Sequence, residues 1–211
     1  MLEKFNKILV LAPHTDDGEL GAGGLIHKAI SLGCDVDYVA FSAAEESVPE
    51  GFPTSILRTE VLNATRVLGI DGDNVSVLNY KVRNFPSCRQ EILDDLISLR
   101  KKKKYDLVLT PMTTDIHQDH CTITQEAIRA FKQTTVFGYE LIWNNLSQSS
   151  TCFIKVSKSD IDAKVNAMAQ YTSQAGRDYT SEKFIFSLAH TRGVQIGSEY
   201  AECFEVIRLV L

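Results

Sequence analysis

The sequence is short of the features that tie a chain to a membrane, a nucleic acid or a disulfide framework. Its five cysteines, Cys34, Cys88, Cys121, Cys152 and Cys203, contain no C-x-x-C pair. Odd in number and widely spaced, they suggest neither a set of staples nor a cysteine zinc site, and a reducing cytoplasm is the expected location. Long apolar runs are missing as well. The first run, residues 8–12, stops at Pro13-His14 without a small-residue cleavage site, so neither a membrane span nor a secretory leader is expected. Positive charge is in deficit, 22 Lys and Arg against 27 Asp and Glu, whereas nucleic-acid binding normally leaves a basic patch on a basic domain. The lysines at 101–104 close a helical stretch, where cations favour the macrodipole, and are read as a solvated helix end. No repeat, low-complexity tract or Pro/Gly/Ser-rich linker interrupts the 211 residues. A single domain over residues 1–211 is expected, acting on a small molecule.

What is there is an alternation. Strand-length apolar runs at residues 7–12, 36–41, 75–79, 106–111 and 135–141 are separated by stretches of helical spacing at 19–31, 55–68, 89–103 and 122–132. Strands interleaved with helices indicate βαβ units. The expected fold is therefore α/β, a doubly wound, mostly parallel sheet with helices on both faces. Beyond residue 152 the pattern predicts a strand at 153–156, helices at 160–171 and near 182–188, and a closing strand at 203–211.

Two polar clusters fall after strands. His14-Thr15-Asp16-Asp17 follows the first, and Asp115-Ile116-His117-Gln118-Asp119-His120 follows the fourth. In a 3-2-1-4-5 strand order those two strands are neighbours at the topological switch point, so their loops share one crevice. Each cluster alone has a bland explanation, since aspartates before a helix are ordinary caps, Asp115 and Asp119 included. Together they form a mixed imidazole and carboxylate set suited to a mononuclear catalytic metal such as zinc, with one position left for water. One aspartate of the Asp16–Asp17 pair can ligate while the other serves as base, and His117 and His120 divide in the same way. Gly21-Ala22-Gly23-Gly24 superficially suggests a dinucleotide loop, but Asp16, Asp17 and Glu19 would repel a pyrophosphate there, and tight helix packing is the simpler role. His27 and His190 are read as structural; Tyr200 fits either the site or the core.

These motifs resemble the LmbE-like or PIG-L-type N-acetyl-sugar deacetylases, zinc-dependent amidases on a Rossmann-like fold. The family's His-x-Asp-Asp and Gly-x-Gly-Gly are similar to residues 14–17 and 21–24, and its His-Pro-Asp-His to residues 117–120. Its Arg before an Ala-rich helix ending in Leu-Gly resembles Arg58, Ala64 and Leu68-Gly69. Late features recur at Lys164, Ala167, Ser173-Gln174, Gly193, Gly197 and residues 200–204. Thr15 and Gln118 stand where the family has proline, Tyr171 where a histidine often precedes Ser-Gln, and residues 45–54 match no pattern. The resemblance implies that His14, Asp17 and His120 bind zinc, or another divalent ion such as iron or cobalt, and that Asp16 is the general base. It further implies that His117, oriented by Asp119, stabilises the oxyanion or protonates the amine, and that Arg58 contacts substrate. The function so implied is removal of an acetyl group from an N-acetylglucosamine-type conjugate. Hydrolysis of another acyl amide or an ester, and a metal-dependent binding module, are the alternatives; a homo-oligomer is compatible with all three.

Overall fold

In the computed structural model, which describes residues 4–147 and 151–210, β1 (Lys7–His14) is buried along its middle six residues. An apolar run without polar alternation demands cover on both faces. It is followed by α1 (Asp17–Ser31), β2 (Asp35–Ser42), α2 (Ile56–Val67), β3 (Val75–Val77), α3 (Arg89–Lys102), β4 (Leu107–Pro111), α4 (Gln118–Ala130) and β5 (Thr135–Tyr139). The chain ends through β6 (Cys152–Val156), α5 (Lys158–Met168), α6 (Glu182–Val194) and β7 (Tyr200–Arg208).

The sheet order is β3-β2-β1-β4-β5-β7-β6. Strands β1 to β5 pair in parallel, and β7 runs antiparallel to β5 and β6. The chain thus winds outward from β1 to β3 and returns on the other side as β4, which opens the loops after β1 and β4 next to each other. Side chains of β1 alternate between two cores. Ile8, Val10 and Ala12 pack with residues of α1, α2, α5 and α6, and Leu9 and Leu11 with α3 and α4.

The glycines of α1 are needed for close approach. A Cβ at Gly21 would lie 2.1 Å from the Tyr139 ring, and one at Gly23 would meet Lys164 at 2.8 Å. Helical geometry breaks at Ala22 (φ −143°, ψ 17°), so the amides just beyond it lose their intrahelical acceptors. The buried Glu202 carboxylate takes their place, accepting from Gly24 N at 3.0 Å and Leu25 N at 2.7 Å, while Lys164 Nζ pairs with it at 2.7 Å.

Several boundaries differ from the expected ones. α4 begins at Gln118 rather than near residue 122, because His117 occupies the N-cap and its ring accepts from Asp119 N; neither Asp115 nor Asp119 is the cap. α5 stops at Met168, three residues short of 171, and α6 runs on to Val194. The closing strand is shifted to 200–208, and Leu211, the expected end, lies outside the described residues. At the foot of α3, Lys103 is not merely solvated: it reaches Asp37 at 2.7 Å. Among the described residues no helix is long and apolar enough to cross a membrane.

Candidate metal centre

The loops after β1 and β4 bring three donor atoms into a nearly equilateral triangle. His14 Nδ1 and His120 Nε2 are 3.3 Å apart, and Asp17 Oδ2 lies 3.2 Å from each. Zinc bonds of roughly 2.0–2.1 Å in a tetrahedral shell place ligand atoms about 3.3 Å from one another, so the triangle has the dimensions of one face of such a shell. Asp17 is locked in place by the His14 backbone amide, which donates to Oδ2 at 2.8 Å. The three histidines His14, His117 and His120 also offer ring nitrogens within 4.8 Å of one another, and this cluster could bind a metal. His117 stacks on His120 with centroids 4.5 Å apart.

Each triangle histidine is held by a carboxylate through its other nitrogen. His14 Nε2 lies 3.1 Å from Asp119 Oδ2, and His120 Nδ1 lies 2.8 Å from Asp115 Oδ2. Such partners orient the ring and leave the remaining nitrogen's lone pair facing the triangle. The contact by which Asp119 orients His117 is thus a backbone one, its carboxylate being turned to His14. That carboxylate serves His14 and accepts from the amides of Arg83 and Phe85 at 2.6 and 3.3 Å; His117 Nδ1 receives only the Asp119 backbone amide, at 3.2 Å. With Nδ1 accepting, the neutral ring carries its proton on Nε2.

The electrostatics separate the two adjacent aspartates. Burial raises the Asp16 carboxyl, and the neighbouring Asp17 charge raises it further, to about 6. Asp17 is pushed the other way: burial opposes ionisation, but the charges and hydrogen bonds of His120 and His14 hold it well below the ordinary carboxylate range. Burial disfavours charge on His14 and His120 too, yet Asp119 and Asp17 hold the first up at about 9, and Asp17 and Asp115 the second at about 10. A field that binds protons this strongly also favours a divalent cation. His117 moves down from its ordinary value through burial and then the charges of His120 and His14. Asp16 stands at the N-cap of α1 without making a capping hydrogen bond, so its carboxylate is not consumed by the helix.

These groups line a cavity of about 210 Å³ whose wall also includes Ser47, Arg83, Trp143, Gln174, Arg177 and Tyr179. Arg58 does not line it. Its guanidinium is bound to Glu45 Oε1 at 2.8 Å and Asn79 Oδ1 at 2.7 Å, beside a different hollow. The arginines in the wall, Arg83 and Arg177, come from loops with no periodic signal and are not legible from spacing. Ser173 has a visible job: with Thr172 it donates to the buried Glu60 carboxylate, at 2.6 and 2.7 Å, which anchors the loop presenting Gln174 and Arg177. Tyr171 donates to the Thr15 carbonyl at 2.7 Å, behind Asp16. His27 pairs with Asp160 at 2.8 Å and His190 with the Glu199 carbonyl at 3.0 Å, both structural. Tyr200 packs on Phe186, outside the cavity.

Comparison with known proteins finds relatives in both sequence and structure. A diacetylchitobiose deacetylase of Thermococcus kodakarensis is 27% identical over 129 residues, 56% of this chain and 47% of that protein; the match thus spans about half the relative's length. Among solved structures, the conserved protein TT1542 of Thermus thermophilus superposes with a TM-score of 0.81 at 26% identity, covering 97% of this chain and 96% of that one. N,N'-diacetylchitobiose deacetylase of Pyrococcus horikoshii gives 0.78 at 22% identity, covering 98% and 85%. GalB, the 4-carboxy-2-hydroxymuconate hydratase of Pseudomonas putida, gives 0.79 at 19%, covering 98% of both chains, so the fold alone does not choose the reaction. Residues 9–131, which contain both histidine clusters, match the family model described as GlcNAc-PI de-N-acetylase; this is more than half of the chain, and the protein belongs to the PIG-L family, the LmbE-like deacetylases.

Proposed function

We propose that the protein is a zinc-dependent N-deacetylase that removes the acetyl group from an N-acetylglucosamine-type amino-sugar conjugate. The observation that carries this is the His14, Asp17 and His120 triangle, with sides of 3.2 and 3.3 Å, set beside an aspartate held near neutrality. These three residues would hold the ion. When bound, zinc makes a water acidic near neutral pH and polarises a carbonyl. Family membership and the deacetylase relatives support amide hydrolysis over other chemistry on this fold.

The remaining roles follow from position and proton affinity. Asp16, raised to about 6, is ionised at pH 7 and basic enough to take a proton from the attacking water. His117, neutral and with its proton on Nε2, donates a hydrogen bond to the acyl oxygen as negative charge grows there, a contribution of about 3 kcal/mol for a well-placed donor. Asp16 then returns its proton to the departing nitrogen. Water has been added across the C–N bond, giving acetate and a primary amine. Asp115 and Asp119 position His120 and His14 and do not meet the substrate.

Incubation with N-acetylglucosamine conjugates should release acetate and amine in equal amounts, and metal analysis should find about one zinc per chain. Replacement of His14 and His120 by alanine should abolish both. Metal retained by the double variant, or release of the sugar with its acetamide intact, overturns the assignment.

A further inference from the structure

We propose that Gln174 makes the site selective for amides over esters, its side-chain oxygen accepting the N–H of the scissile acetamide; this rests on the deacetylase reading and names the group that recognises the leaving atom. Gln174 is only 4% exposed, and it lines the same cavity as Asp16 and His117. A primary amide has a donor end and an acceptor end, and the surrounding hydrogen bonds decide which way each points.

Here the network that decides starts at Glu60. Its buried carboxylate accepts from Thr172 Oγ1 at 2.7 Å, from Ser173 N at 2.9 Å and from Ser173 Oγ at 2.6 Å. A hydroxyl has one proton, so Ser173 Oγ, having given it to Glu60, can only accept from its next neighbour. That neighbour is Gln174 Nε2, at 3.0 Å. Turning the amide over would set oxygen against oxygen, so the nitrogen is fixed on Ser173 and Oε1 is the outward end. Among the described residues no buried side-chain N or O atom lacks a partner, whereas the side-chain hydrogen bond of Gln174 is the one made by its nitrogen. Oε1 is therefore an accessible acceptor, and the space that Gln174 lines is the cavity.

Gln174 also stands on the side from which Asp16 acts. Tyr171 donates to the Thr15 carbonyl at 2.7 Å, in the peptide directly before Asp16, and Gln174 N closes a turn on the Tyr171 carbonyl at 2.9 Å. Asp16 returns its proton to the departing nitrogen, so that nitrogen faces this side of the cavity. In the bound substrate its N–H meets Oε1. As the C–N bond breaks and the nitrogen takes the proton, it gains positive charge, and the hydrogen bond to Oε1 becomes charge-assisted and stronger. An ester offers an oxygen at the same position. Two acceptors then face each other, the Gln174 carbonyl is left without a donor, and the ester is disfavoured.

Acetate release from methyl N-acetylglucosaminide, and from the methyl glucoside acetylated on the 2-oxygen instead, gives an amide-to-ester ratio of kcat/KM. Gln174→Leu should lower that ratio about tenfold or more. Ser173→Ala frees the amide to turn, while the Thr172 hydroxyl and the Ser173 amide still hold Glu60; it should lower the ratio in the same direction by less, and it decides the matter if Gln174→Leu does not fold. A merely structural role would reduce both rates together and leave the ratio unchanged. Calorimetry with the amine product, methyl glucosaminide, against methyl glucoside reads the same contact without turnover: the amine should bind more tightly, and Gln174→Leu should close most of the gap. Acetate from the amide with a ratio that neither substitution changes overturns the inference and spares the deacetylase reading. Absence of acetate from the amide in the parent protein overturns that reading, and the contact with nitrogen then stands or falls on the calorimetric gap.

Discussion

Asp16 and Asp17 are adjacent, chemically identical and pushed in opposite directions, one up to about 6 and the other below its usual range. Asp16→Asn should cost about 10²–10⁴-fold in turnover while zinc stays bound; Asp17→Asn should lose zinc, since a neutral amide is the poorer ligand. Zinc content and rate measured on both variants decide the matter, and the opposite pattern would exchange the roles. With Asp16 as the proposed base acting in its carboxylate form, kcat/KM should rise with pH along a limb at or below about 6, and Asp16→Asn should remove that limb. Protons held on His14 and His120 at about 9 and 10 compete with a cation at pH 7. Metal affinity should therefore increase with pH, with proton release visible as a buffer-dependent heat of binding. Asp119→Asn and Asp115→Asn should each weaken zinc binding about 10–100-fold. That His14, Asp17 and His120 come together was legible, because both polar clusters follow strands that the fold places side by side. Which ring the Asp119 carboxylate holds was not, since that ring, His14, lies 105 residues away in sequence and only the fold of the 83–85 segment around Asp119 fixes the carboxylate's direction.

At the level of elements, hydrophobic period located the strands and α-helices of the described residues but not the short 3-10 turns between them, because only a buried face several residues long repeats at the pitch of its element. It failed at ends, where side chains rather than period act. The early start of α4 depends on a histidine ring as cap, outside the usual Ser, Thr, Asp and Asn signals. The interruption of α1 was equally hidden, since its stabilising partner Glu202 is 178 residues away from Gly24. Glu202→Ala would leave two buried amides and the Lys164 ammonium unpaired, and should destabilise the protein by about 3–5 kcal/mol in urea unfolding. Gly21→Ala drives a methyl into the Tyr139 ring, and should reduce stability by roughly 1–3 kcal/mol. A loss below about 0.5 kcal/mol for Glu202→Ala would mean that the break at Ala22 is stabilised by something else.

Across the whole molecule, the histidine and aspartate clusters come from the first two-thirds of the chain and part of the cavity wall from the rest, Trp143, Arg177 and Tyr179 among it. Trp143 is the single tryptophan, so its emission is a direct reporter of the cavity. Ligand titration should change it in the parent protein, and Trp143→Phe should abolish the signal while retaining binding by calorimetry. Asp119 joins the triangle to the cavity wall, because one carboxylate holds both His14 and the backbone amide of Arg83. A metal ion and a sugar bound there would be linked in a closed thermodynamic cycle, in which the factor by which the ion changes the sugar's affinity equals the factor by which the sugar changes the ion's.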